Sequence, residues 1–252
     1  MDKFFPFWYK HKTLMLGAFY QNIRNGDDFD YFRSYFKQTN YNLFKIKSKN
    51  LDSVLDKYNH IKENELSRGY RTSIYLKDNL EGIYKDKLSQ EGFTKDGDDV
   101  WVLKKVSDTI DLPNKFKVKT VDSNNFDDYL NLVQLSFPDY DNNSEYCNFC
   151  FDLSNKKDKN NINYLFYIDS SLVFSGSILY DSDLQYGFIH NVCTHPEYRK
   201  QGIFSYFLDY MENFAKEKGV EYLSANVEGG GGSHRVFKNK DYNDYEKYYY
   251  YN

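Results

Sequence analysis

The chain is poor in the residues that staple or interrupt a fold: 3 Cys, 4 Pro, 3 Met and 2 Trp among 252 residues. A small, odd number of cysteines excludes a disulfide-built miniprotein and suits a reducing compartment, so a cytoplasmic location is expected. A basic excess is missing as well. Lys and Arg total 33 against 37 Asp and Glu, a formal charge of -4, which leaves no electrostatic footprint for nucleic acid. No run approaches the roughly 18 consecutive apolar residues of a membrane helix, so no membrane partner is expected. The aromatic N-terminus is broken by Lys3, Lys10, His11 and Lys12. Its uncharged stretch, residues 13–23, is short, lacks a small-residue cleavage site and runs into the charged residues 24–30, so it reads as a core helix and not a signal peptide. Neither G-x-x-x-x-G-K-[ST] nor G-x-G-x-x-G occurs, and the tetraglycine at 229–232 lacks the Lys and the spacing of a P-loop, which leaves a flexible connector.

What the chain has is aromatic residues, 19% of the total and nearly all of them from 26 Tyr and 21 Phe. A composition of this kind folds, and the length allows one large domain or two of about 125 residues each. Lys, Asn, Tyr, Ile and Phe are what AT-rich codons supply, so part of the Tyr excess reflects the genome. The best boundary is SDTIDLPN at 107–114, a Pro-containing segment between two strand-like runs, which predicts domains at 1–110 and 111–252. The first carries 19 basic and 16 acidic residues and the second 14 and 21, so the charge of -4 divides into +3 and -7. The acidic half favours a cationic substrate or partner, or is an ordinary solvated surface.

Periodicity in the second half predicts a strand at 116–121, helices at 125–137 and 145–153, and strands at 162–169, 172–180 and 184–194. A long amphipathic helix at 202–218, a strand at 220–227, a short helix at 233–240 and a last strand at 242–250 complete the order βααβββαβαβ. In the first half, a strand at 71–77, a helix at 80–90, a Gly92-Phe93 corner and a strand at 99–106 repeat the end of that pattern, which points to a degenerate internal duplication.

The chemistry-bearing stretch is FIHNVCTHPEYRKQGIFSYF, 188–207. A strand ends there, a Pro-containing turn follows, and a basic loop with one glycine opens into a helix. Unpaired N–H groups at a helix N-terminus and the helix dipole favour an anion, Arg199 and Lys200 add charge, and Gly202 lets the backbone approach a pyrophosphate. The plainer alternative for Arg199 and Lys200 is a solvated turn. Cys147 and Cys150 have zinc-like spacing without a second ligand pair, so packed thiols and no metal site are expected.

The run Arg199-Lys200-Gln201-Gly202-Ile203-Phe204 resembles the [RQ]-x-x-G-x-[GA] signature of the GNAT superfamily of acetyl-CoA-dependent N-acetyltransferases, with Phe204 where the family has Gly or Ala. THPEYR before it, Ser205 after it, the element order and SHRVFKNKDY at 233–242 extend the resemblance over about residues 115–252. It implies an α/β (α+β) GNAT fold, a mixed central sheet flanked by helices, in two GNAT-like halves of which the first is degenerate. It also implies acetyl-CoA, or another short acyl-CoA, as co-substrate. Val192, Cys193 and Thr194 would meet the pantetheine arm through their backbone, and Arg199, Lys200, Gln201, Gly202, Ile203, Phe204 and Ser205 would hold the pyrophosphate. Direct attack by an amine needs a base. His190 is the named candidate, with a structural histidine as the alternative, and Tyr186 on the same face is the second. Many family members carry a Tyr, as acid, where this chain has Phe237, so either the thiolate leaves unassisted, or another group such as Ser233, His234 or a water serves, or activity is lost. Expected partners are a small-molecule or peptide amine and, as an open option, a second copy in a homodimer. The alternative function is a CoA-binding regulatory or interaction module without turnover.

Overall fold

The computed structural model describes residues 6–38, 41–138 and 143–252. In chain order the elements are α1 (Phe7–Met15), β1 (Tyr20–Asn25), β2 (Phe29–Ser34), β3 (Leu43–Ile46), α2 (Leu51–Leu66), β4 (Ser73–Lys77), α3 (Asp78–Gln90) and β5 (Lys95–Lys105). They continue with β6 (Lys117–Thr120), α4 (Phe126–Ser136), α5 (Asn143–Ser154), β7 (Asn160–Ile168), β8 (Ser171–Asp181), β9 (Tyr186–Thr194), α6 (Ile203–Glu217), β10 (Tyr222–Val227), α7 (Gly232–Asn239) and β11 (Asn243–Tyr251). The chain forms two compact units, one of Met1–Val102, Asn226–His234 and Asp244–Asn252, the other of Leu103–Ala225 and Arg235–Asn243.

In the first unit the strand order is β1-β2-β3-β4-β11-β5. β1, β2 and β3 form an antiparallel meander, β4 joins parallel to β3, and β11 runs antiparallel to β4 with Tyr248 opposite Lys77 and Tyr251 opposite Ile74. The helix stripes Val54, Leu55, Tyr58 and Ile61 of α2 and Leu80, Tyr84 and Leu88 of α3 bury against Phe44, Ile74 and Leu76 of the sheet. In the second unit the order is β10-β9-β8-β7-β6, with antiparallel pairing from β6 to β9 and a parallel β9–β10 pair. Phe207, Leu208, Met211 and Phe214 of α6 are buried on one face, and Tyr129, Leu132 and Val133 of α4 cluster with Cys147, Leu165 and Cys193. Meander, helix, parallel strand, helix and strand thus recur twice, as β1-β2-β3-α2-β4-α3-β5 and β7-β8-β9-α6-β10-α7-β11. The repeat is longer than the strand, helix and strand visible in the sequence.

Three expectations change. A single division at 110/111 is replaced by a chain that returns to its first unit, because β11 hydrogen-bonds into the sheet beside β4. The stretch 13–23 is not one helix: α1 ends at Met15, Gly17 turns at φ 76, and Tyr20 begins β1. The tetraglycine is held in place, since Gly229 N–H donates to Asp98 Oδ1 at 3.0 Å, Gly230 N–H donates to His234 Nδ1 at 2.9 Å, and α7 starts at Gly232.

Candidate active site

β9 changes course in its middle. Ser175 of β8 faces Cys193 and Ser177 faces His190, so Asn191 and Val192 together stand against Gly176, and Asn191 takes a left-handed φ of 48. That is a β-bulge, which bends and twists its strand. Gly176 is required beneath it, because a Cβ there would lie 2.6 Å from the Phe207 ring. The parallel ladder to β10 runs only from Tyr186–Tyr222 to Phe188–Ser224, while β9 continues to Thr194. Beyond Phe188 the β10-facing edge of β9, Val192 and Cys193 included, therefore has no ladder partner among the described residues. The Thr194 carbonyl is used locally: it accepts Arg199 Nε at 3.3 Å and Ser136 Oγ at 3.4 Å.

After β9, His195 caps a short turn, Pro196–Tyr198, by accepting Glu197 N–H at 3.3 Å. The chain then passes through two left-handed residues, Lys200 at φ 63 and Gly202 at φ 78, and enters α6. Glycine at 202 answers the dihedral and not crowding, because a Cβ there would meet nothing within 4 Å. The first bond of the helix is Tyr206 N–H to Gly202 O at 3.0 Å, and no side chain caps the end. The N–H groups of Ile203, Phe204 and Ser205 thus have no carbonyl one turn back, and they lie at the positive end of the α6 dipole. Gln201 is tied to Glu197 O at 3.3 Å, and Lys200 is exposed.

Arg199 does not aim into this fringe. Its guanidinium donates to Thr194 O and, at 3.2 Å, to Ser136 O, pinning the loop to the end of α4. The ring of Phe204 leaves the N–H groups clear by packing in parallel with Phe174 at 6.2 Å and edge-on to Phe237 at 5.2 Å. Phe237 is buried and in turn meets Tyr242 at 4.8 Å. The two positions at which this sequence departs from the family pattern are therefore in contact with each other.

His190 is buried on β9. Its Nε2 stands 2.8 Å from Asn161 Oδ1, its Nδ1 3.4 Å from the Tyr146 hydroxyl, and its ring stacks on Phe188 at 5.9 Å. Asn161 Nδ2 donates to Cys150 O at 3.2 Å and Ser154 Oγ at 2.9 Å, so Oδ1 is left to accept and His190 carries its proton on Nε2. Burial lowers the imidazole from 6.5 to about 3, so it does not titrate near neutrality as expected from the sequence. Tyr186 is fully buried, its hydroxyl pairs with Ser224 Oγ, and burial raises its phenol far above the ordinary range. It packs and does not face a substrate. Among the remaining acid candidates, His234 uses both nitrogens, one on Gly230 and one on Asp244 Oδ1 at 2.9 Å. Cys193 is buried and its thiol is pushed up to about 12, mainly by burial, as is that of Cys147. Among the described residues no group of three His, Cys, Asp or Glu could hold a metal ion, and no helix is long and apolar enough to cross a membrane. Sequence reasoning missed Tyr146, Asn161 and Ser136, each of which acts on a residue far away along the chain.

Residues 127–239 match the family model described as Acetyltransferase (GNAT) family. No curated protein matches the sequence. Among solved structures, the chain is similar to a functionally unknown conserved protein from Staphylococcus epidermidis, at 14% identity and TM-score 0.69 over 91% of this chain and 92% of that one. It is similar to a GCN5-related N-acetyltransferase from Kribbella flavida at 12% identity and TM-score 0.66, over 96% and 92%. A tandem GNAT protein from the clavulanic acid biosynthesis pathway aligns at 8% identity and TM-score 0.57, over 90% and 80%. At these identities the likeness is one of fold, and it extends over both halves of the chain. With the strand order, the bulged β9 and the glycine loop at the head of α6, the family match identifies residues 127–239 as a GNAT acetyltransferase domain.

Proposed function

We propose that the chain transfers an acetyl or other short acyl group from acyl-CoA to a primary amine, by direct attack of the amine while both substrates are bound. The observation that carries this reading is the uncapped head of α6, where three N–H groups without a carbonyl one turn back lie at the positive end of the dipole, directly after the left-handed Gly202. These residues fit a pyrophosphate. Ile203, Phe204 and Ser205 would bind it through backbone N–H, Lys200 would add charge, and the unladdered edge of β9 at Val192 and Cys193 would take an extended amide-bearing arm. Acyl-CoA supplies the activated thioester.

Direct transfer is favoured over an acyl-cysteine because Cys193 keeps its proton across the physiological range. His190 is a poor proton sink. We assign it instead to holding the Tyr146 hydroxyl, with Asn161 fixing its tautomer. The acceptor then reacts as the free amine, so the rate should rise with pH toward the pKa of the amine without a step near 6.5. No hydroxyl stands at Phe237 and His234 is engaged on both nitrogens, so the leaving thiolate takes its proton from solvent or from Ser233. The acidic balance of residues 111–252 is consistent with an amine acceptor. The three unpaired, buried cysteines support a cytoplasmic setting.

Calorimetric titration with CoA, followed by a thiol-release assay over a panel of amines, tests the reading. Wild type should bind and turn over. Gly202→Asp should lose CoA binding, because it sets a carboxylate among the N–H groups and forces a side chain into a left-handed dihedral. Failure of the wild type to bind CoA would overturn the proposal, and tight binding with no turnover on any amine would leave only a binding module.

A further inference from the structure

The first unit contains a carboxylate whose surroundings are incomplete. The fully buried carboxylates each have a basic partner: Asp30 has Lys12 at 2.9 Å and Lys47 at 3.1 Å, Glu65 has Arg33 at 3.7 Å, and Glu212 has Lys104 at 2.6 Å. The partly buried Asp98 and Glu246 follow the same rule, with Lys247 at 2.6 Å and Lys77 at 2.5 Å. Asp99 is partly buried too, yet among the described residues no Lys, Arg or His pairs with it.

Its hydrogen bonds are lopsided. Tyr75 donates to Oδ2 at 3.2 Å, Asn226 Nδ2 donates to the same oxygen at 3.1 Å, and the Tyr250 hydroxyl donates there as well. Among the described residues no donor reaches Oδ1. Tyr75 is itself held by Trp101 Nε1–H at 2.8 Å, and its ring lies 5.0 Å from that of Tyr250, so this side of the carboxylate is rigidly built. Burial, and after it the Asp99 charge, raises the phenols of both Tyr20 and Tyr250. Burial raises Asp99 itself, the signature of a charge short of compensation.

We propose that Asp99, framed by Tyr75, Tyr250 and Asn226 in the first unit, is a binding site for an alkylammonium group. Each feature selects that chemistry. Oδ1 accepts an N–H of the cation, and the Tyr250 oxygen still has lone pairs for a second. A divalent metal is a poor match, because one carboxylate with two oxygens, one already carrying three donors, falls far short of the six to eight oxygens such an ion collects. For the acyl transfer proposed above, the ligand would be the alkylammonium form of an amine acceptor, an extension that rests on that reading.

The test is calorimetry on the whole chain without CoA, titrating n-butylammonium and 1,4-diaminobutane, with potassium and calcium chloride as controls. Binding of the amines at millimolar concentration or below is expected. It should weaken by about tenfold or more in Asp99→Asn, which keeps the acceptor and removes the charge, and clearly in Tyr250→Phe. Melting curves show whether each variant is folded, and Tyr250→Phe decides the matter if Asp99→Asn is not. Amine binding unchanged in both variants, no amine binding by the wild type, or binding of the metal salts in place of the amines would overturn the proposal. Amine binding that survives in Gly202→Asp would separate this site from the CoA-binding loop, so the failure of one reading is distinguishable from that of the other.

Discussion

Replacement of His190 by Gln should flatten the acid sensitivity of this protein. The folded imidazole sits near 3 where an unfolded one sits at 6.5, a preference for the neutral form of about 5 kcal/mol. The sign follows from proton counting. Below 6.5 the unfolded chain takes up a proton that the folded chain refuses, so stability falls as pH drops from 6.5 and levels off again only near 3. The loss is about 1.4 kcal/mol per pH unit, or about 2 kcal/mol by pH 5. His11, buried against Phe7 and Trp101 and lowered to about 3 by burial and by the charges of Lys45 and Lys12, adds a similar amount. Together they consume about 4 kcal/mol, a large part of the 5–15 kcal/mol typical of a folded domain. Urea unfolding between about pH 7.5 and 5 should show this slope in the wild type and roughly half of it in His190→Gln. The glutamine still donates to Asn161 Oδ1, so the variant should fold at neutral pH. An unchanged slope in His190→Gln, or an NMR titration of the His190 ring centred near 6.5, would refute the reasoning.

Gly176→Ala places a methyl 2.6 Å from the Phe207 ring and should cost about 1–3 kcal/mol by denaturant unfolding, partly restored by Phe207→Leu. A double-mutant cycle on Phe204→Ala and Phe237→Ala should reveal a coupling of about 0.5–1.5 kcal/mol, as expected for an edge-on ring pair. Cys193→Ala should retain thiol-release activity, and iodoacetamide should label the folded protein slowly at neutral pH, because the thiol is raised to about 12. Rapid labelling together with loss of activity in Cys193→Ala would point to a covalent route.

Legibility from sequence followed the length and regularity of the elements. α6 was visible because Ile203, Phe207, Met211 and Phe214 keep helical spacing through 15 residues and a glycine marks each end. β1, β2 and β3 were not. They are short, β1 is largely exposed or half-buried, and β3 is buried at every position although Lys45 is one of them, so no alternation appears. The loop at 199–205 was legible because glycine holds one of its two left-handed positions, Gly202, directly after a basic pair and before a helical run. The role of Arg199 was not, since its second partner, Ser136, is 63 residues away. His190 shows the same limit. Its strand and face were readable, but its environment comes from Asn161 and Tyr146 on other elements, and that environment takes away the neutral-pH titration that makes histidine a natural candidate base.

The placement of β11 beside β4 bears on the order in which this protein can be made. Residues 243–251 leave the ribosome after everything else in the first unit, and until they do, β4 carries an unpaired edge of Ile74, Tyr75 and Leu76. The first unit, although most of it is synthesised early, stays unfinished while the whole GNAT domain is translated. It is exposed in that interval to pairing with a neighbouring nascent chain. Joining Ser73 Oγ to Asn252 across 179 residues also makes closure a slow, non-local event. A fragment of residues 1–110 should therefore aggregate when expressed alone and recover solubility when a peptide of residues 243–252 is supplied with it.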